Sequence, residues 1–228
     1  MASSPPWLHA VAIASLAIGV VCSAVIAHDE TRRPQKMGVM NAVWPLCALF
    51  GGLLWLAFYW RWGRSDDEAP MLVSVAKGTS HCGAGCTLGD LLVEWAGVAL
   101  PGLAAAFGYG RLFDERTFAM WIPDYLVAFL IGIAFQYFAI APMRKLGLGE
   151  GLKAAVKADA ASITSWQVGM YGGMAIGQFA WFRPAYGALA PVASPEFWFL
   201  MQLAMLAGFC TAYPVNWWLV RAGLKERM

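Results

Sequence analysis

The chain predicts an all-α fold: a polytopic membrane protein built as a bundle of six transmembrane helices, with residues 1–228 forming one transmembrane domain. Three observations predict it. Hydrophobic residues make up 60% of the 228 positions and charged residues 13%, and the mean hydropathy of +0.56 exceeds that of soluble domains of this size. Apolar runs recur at roughly the 20 residues needed to cross about 30 Å of hydrocarbon. The links between them are short and polar.

The first span, about Trp7–Ala27, follows no basic segment, and its apolar run is longer than a secretory leader uses, so it reads as a membrane helix. The second, about Ala42–Trp62, contains Pro45, which a bilayer helix tolerates when neighbours cover the freed carbonyl. The third, about Leu91–Tyr109, is rich in glycine and alanine, which lets helices approach closely. The fourth covers about Phe118–Met143 and the fifth about Ile163–Phe182; the segment between them, "RKLGLGEGLKAAVKADA", has the pattern of a short amphipathic interfacial helix. The sixth, about Phe197–Val220, carries Pro214. Tryptophans near the predicted span ends, as at "WRW" and "WW", fit an interfacial belt.

Lysines and arginines set the expected orientation. The first, third and fifth links carry six, and the second, fourth and C-terminal tail carry ten. The positive-inside rule then places both termini, and the link containing Cys82 and Cys86, in the cytoplasm of a cell-membrane protein.

The formal charge of +2, without a basic tract, argues against nucleic acid as a partner. The lipid bilayer is the expected surrounding, with a second copy or a membrane-complex partner as protein contact. No P-loop, nucleophile elbow, HExxH or dinucleotide fingerprint occurs, so catalytic residues and an organic cofactor are unassigned and enzymatic activity is the less favoured expectation.

The chemistry concentrates in "KGTSHCGAGCTLGDLLVEW". Residues four apart share a helix face, so Cys82, Cys86, Asp90 and Glu94 form a stripe about 18 Å long on a helix starting near Ser80, with His81 beside its top. Two thiolates and an imidazole suit Cu(I) first and Zn(II) next, and the carboxylates would continue the path. The spacing is not one of the strong zinc patterns, and the same glycine-flanked residues also fit close helix packing with Thr79 or Ser80 as a cap.

Asp124 reads as an intramembrane acid or as the N-cap of span four. Asp159 reads as a cap or a partner for Lys153 or Lys157. Gln136, Gln167, Gln178, Gln202 and Asn216 are expected to bond between helices or line a polar path. Met170, Met174, Met201 and Met205 read as core or as thioether ligands. Cys47 reads as a small apolar residue, and His9 as a hydrogen-bonded one.

"SHCGAGCTLGDLLVEW", "FQYFAIAPM", "KADAASITSWQVGMYG", "FWFLMQLAMLAGF" and "YPVNWWLVRAGLKERM" resemble the integral-membrane family catalogued as domain of unknown function 4396, from about Lys77 onward. The resemblance marks His81 to Cys86, Asp159, Gln167 and Asn216 as distinctive and implies no catalytic role. The functional expectation is a membrane protein that binds or transports a soft metal ion, copper or zinc. The alternatives are a non-catalytic subunit or assembly factor of a larger complex, and a metal- or thiol-dependent oxidoreductase.

Overall fold

The computed structural model describes residues 4–65 and 69–227, with the backbone alone at 142 and 143. Its elements are α1 (Pro6–Arg32), α2 (Met40–Phe58, ending in a π-helical turn over Tyr59–Gly63), α3 (Met71–Ala99), the short α4 (Leu103–Ala106), α5 (Arg116–Arg144), α6 (Leu148–Ala175, continuing through a π-helical turn over Ile176–Phe182), the short α7 (Arg183–Tyr186) and α8 (Pro195–Arg221). No strand occurs among the described residues. Four segments are long and apolar enough to cross a membrane by length and composition: α1, α2 with its turn, Arg116–Ala141 of α5, and α8.

The second of these does not run straight. Gly52 has φ 51° and ψ −129° inside α2, a conformation that costs glycine little and other residues much. Beyond it the chain doubles back. Trp44 packs edge-on against Phe58 at 5.2 Å and Tyr59 at 5.5 Å; on a straight helix Trp44 and Tyr59 would stand about 22 Å apart. The segment is therefore a helical hairpin with its tip at "FGG". Both arms clamp Ser80 of α3: the Cys47 thiol donates to its carbonyl at 3.1 Å, and the Trp55 indole to its hydroxyl at 3.2 Å.

This reversal changes the expected path. α1 and α8 run the same way, since Ser4 and His9 meet Glu196 at 2.6 and 2.8 Å while Ser15 meets Gln202 at 2.7 Å. The two termini consequently leave at opposite ends of the bundle, not at one. A pairing of like ends needs six crossings, and α2 supplies a turn instead.

Span three also shifts. The helix begins at Met71 after Pro70 and stops at Ala99, just before Pro101, so the predicted 91–109 window takes in its last turns and the break beyond. Hydropathy undervalues "KGTSHCGAGC", whose small residues are helical because neighbouring helices pack against them. Thr79 and Ser80 lie mid-helix, with their hydroxyls donating to Val75 and Ala76 carbonyls, and cap nothing. The segment read as a separate interfacial helix is the first part of α6.

α3 is the central element, packed on α2, α5, α6 and α8. Trp166 of α6 fills the space over Gly83 of α3 and Gly208 of α8, against Phe50 and Phe209. Trp44, Trp55 and Trp166 are thus core residues and do not belong to a belt. Large apolar side chains such as Val20, Leu54, Leu130 and Val168 face outward.

Candidate functional site

α3 and α5 lie antiparallel in a register set by small residues: Gly85 against Gly132, Gly89 against Ala128, and Gly97 against Met120. The same register levels His81 with Gln136 and sets Asp124 between Asp90 and Glu94. Asp124 is in the third turn of α5, fully buried, and so is not an N-cap.

His81, Cys82, Cys86, Asp90 and Glu94 are all buried, but they do not form one centre. Among the described residues no three histidine, cysteine or acidic side chains converge to hold a metal ion. The His81 ring packs edge-on to Phe135 of α5 at 6.0 Å, and neither nitrogen has a hydrogen-bond partner among the described residues. Cys82 interacts with Cys86 and also with Cys47 on the α2 hairpin. Cys47, read as an apolar filler, thereby lies near the same thiols, held there by its hydrogen bond from the first arm of α2 to the Ser80 carbonyl.

Asp90 and Asp124 approach each other across the α3–α5 contact. Among the described residues no donor reaches either oxygen of Asp90 or Oδ1 of Asp124. The Tyr171 hydroxyl lies 3.0 Å from the Trp121 carbonyl and 3.3 Å from Asp124 Oδ2, with one proton to give. Gln167 faces Asp90 without closing a hydrogen bond. Two carboxyl groups in contact are both acceptors, so a hydrogen bond between them requires a proton held by the pair.

On one side of this pair, Glu94 and Arg116 line a 240 Å³ cavity with Thr117, Met174 and Gln178. On the other side, Lys225 reaches in from the C-terminal tail with no exposed side-chain surface. Its ammonium donates to Asp159 at 2.5 Å, Asn216 at 2.7 Å and the Gly78 carbonyl at 3.2 Å, and Asn216 in turn donates to Ser162 at 2.6 Å. Asp159 is mid-helix, so it is no cap, and its partner is Lys225 where Lys153 or Lys157 was expected. Proximity in sequence favoured those two, but they lie on the exposed side of α6.

The amides divide cleanly. Gln178 is tied to the Ala190 backbone, Gln202 to Ser15 and the Leu49 carbonyl, and Asn216 to Lys225. Gln136 and Gln167 have no side-chain hydrogen-bond partner among the described residues. Met170, Met174, Met201 and Met205 are buried core residues, and His9 has its hydrogen bond in Glu196.

An all-α bundle with apolar outer helices and a line of ionisable groups on its inner helix is the class of protein defined here. The chain belongs to the family described as domain of unknown function (DUF4396), which matches residues 73–225, from the start of α3 to Lys225. No curated protein and no solved structure matches it.

Proposed function

We infer that the chain is an integral membrane protein with five crossings, α1, α3, α5, α6 and α8, and one re-entrant hairpin, α2, and that it moves protons along α3. The hairpin supports the topology, because with α2 turning back, thirteen of the sixteen lysines and arginines gather at the end of the bundle holding Lys225. Cytoplasmic ends carry such an excess. The C-terminus is then cytoplasmic, and the N-terminus lies on the opposite face.

The Asp90–Asp124 pair carries the functional reading. Buried carboxyl groups inside a bundle are costly, and where they persist they mark ion or proton paths. Here they stand between Glu94 and its cavity on one side and Cys86, His81 and the Asp159–Lys225 pair on the other. Buried carboxyl and imidazole groups in such a line are the side chains that relay protons inside membrane bundles.

Reconstituted into vesicles containing a pH-sensitive dye, the protein should pass protons under an imposed potential. Asp90→Asn and Asp124→Asn should each lower that flux by about tenfold or more, the scale of losing one acid–base group. Wild-type flux in either variant, with the protein still monodisperse, rules the path out.

The Cys47–Cys82–Cys86 group favours a second reading, soft-metal binding. Thiolates select Cu(I) and then Zn(II); the three thiols do not converge as they stand, so ligation by them would require the first arm of α2 to close on α3. Elemental analysis after growth in copper or zinc should then find about one ion per chain, lost in Cys47→Ser as fully as in Cys82→Ser. Equal metal content in wild type and the triple serine variant removes this reading and leaves the thiols as packing, as a subunit or assembly role would have them.

A further inference from the structure

Where α3, α5 and α6 meet, oxygen atoms outnumber the hydrogen-bond donors that reach them. Asp90 of α3, Asp124 of α5 and Gln167 of α6 are 0%, 1% and 1% exposed. Tyr171 of α6 reaches the same point: its hydroxyl lies 3.3 Å from Asp124 Oδ2, and its ring is held by stacking on Trp121 at 4.6 Å. Gln167 stands one turn earlier on that face of α6 and faces Asp90.

The Tyr171 proton has its closer acceptor in the Trp121 carbonyl, at 3.0 Å. Given there, it leaves the phenol oxygen and Asp124 Oδ2 facing each other as two acceptors. Both oxygens of Asp90, Oδ1 of Asp124 and both amide atoms of Gln167 have no hydrogen-bond partner among the described residues. No ion pair among the described residues includes either acid. One shared proton joins two oxygens and removes one of the pair's two charges; the other oxygens and the other charge are still unmatched.

Two carboxylates, an amide and a phenol are a set of hard oxygen donors, which match a hard cation. Mg²⁺ keeps several waters and Ca²⁺ takes six to eight oxygens; these side chains are few, and they have almost no exposed surface for a water shell. A monovalent ion stripped of water suits them better. Oxygens at right angles about a cation roughly 2.4 Å away stand about 3.4 Å apart, and the Tyr171 and Asp124 oxygens already stand at 3.3 Å. Na⁺ fits that spacing, and K⁺ would spread it.

We propose that Asp90, Asp124, Gln167 and Tyr171 bind Na⁺ between α3, α5 and α6. The site rests on the proton-path reading, because it uses the same carboxyl pair. Two protons neutralise that pair, and so do one proton and one Na⁺; passing between the two states swaps an ion for a proton with no change in buried charge. Glu94 and Cys86 of α3 are the other ionisable neighbours. Asp124 adjoins Glu94, which lines the 240 Å³ cavity, so the ion has the proton's own approach.

The test measures binding of radioactive Na⁺ to the full chain in nanodiscs at one fixed pH, with choline chloride holding the ionic strength. Binding should saturate at about one ion per chain and be lost in Asp90→Asn and Asp124→Asn. Gln167→Leu should weaken it by about tenfold or more, the scale of losing a group that shapes an ion site, whereas Gln167→Glu, which keeps an oxygen there, should hold it. Should the aspartate variants fail to fold, the wild-type chain still decides: it should unfold at a higher temperature in NaCl than in choline chloride, since an ion that binds only the folded state stabilises it.

Absence of saturable binding overturns the proposal, as does equal loss in both Gln167 variants, or displacement of the label by KCl or CaCl₂ as readily as by NaCl. Intact proton flux without Na⁺ binding removes this site and leaves the proton path standing. Na⁺ binding without proton flux upholds the site and removes the path.

Discussion

Lys225→Met should destabilise the bundle by about 3–5 kcal/mol, the cost of removing one partner from a buried ion pair. All three ammonium protons are used, on Asp159, Asn216 and the Gly78 carbonyl, and no part of the side chain is exposed. Without Lys225, the Asp159 carboxylate is left buried and without a counter-charge. The control is Lys225→Met combined with Asp159→Leu, which removes both charges and should recover most of the loss, because an apolar replacement of a buried pair is often neutral or better. Unfolding by graded SDS, followed by tryptophan fluorescence, measures both. A double variant as weak as the single one means that the tail acts by shape and not by charge.

The tail depends on its turn. Gly223 has φ 69°, and the Leu224 and Lys225 amides both donate to the Leu219 carbonyl, which swings Lys225 back under α3. Arg144 at the end of α5 pairs with Glu226 just beyond it. Nothing in the spacing of "RAGLKERM" announces such a clasp, because its acceptors lie 66 residues away on α6 and 147 away on α3.

Hydropathy made α1, α5 and α8 legible because each turns an apolar surface outward, and lipid-facing composition is what hydropathy registers. α3 and α6 are the inner helices, where small and polar residues are stabilised by protein neighbours, so each begins well before its expected start, at Met71 and not Leu91, and at Leu148 and not Ile163. The α2 hairpin left a trace in "FGGLLW": two adjacent glycines at the centre of an apolar run. Composition alone gives a straight span and a folded one the same score. The 82, 86, 90, 94 stripe was legible from spacing, since all four residues belong to one helix. The partners that give it meaning, Cys47, Asp124, Gln167 and Tyr171, come from three others, and a single helical period cannot align separate helices.

The register joining α3 to α5 yields the last and most severe expectation. A Cβ built on Gly85 would stand 2.8 Å from the Gly132 Cα and 3.0 Å from its nitrogen, a clash with backbone that no rotamer relieves. Gly85→Ala should therefore cost about 1–3 kcal/mol as overpacking, and Gly85→Leu should prevent the two helices from seating at all. Gly132→Ala tests the mechanism from the other side. Its Cβ would meet the end of the Ile163 side chain at 2.7 Å, which can swing away, so the loss should be smaller. Gly172→Ala has nothing within 4 Å and should be neutral or stabilising by about 0.5–1 kcal/mol, the helix preference of alanine over glycine. Thermal unfolding in detergent should order the set as Gly172→Ala, Gly132→Ala, Gly85→Ala, Gly85→Leu, from most to least stable. Separating α3 from α5 also pulls Asp90 away from Asp124, so proton flux should fall in that same order. If flux instead survives in a folded Gly85→Leu protein, the two carboxyl groups do not work as a pair.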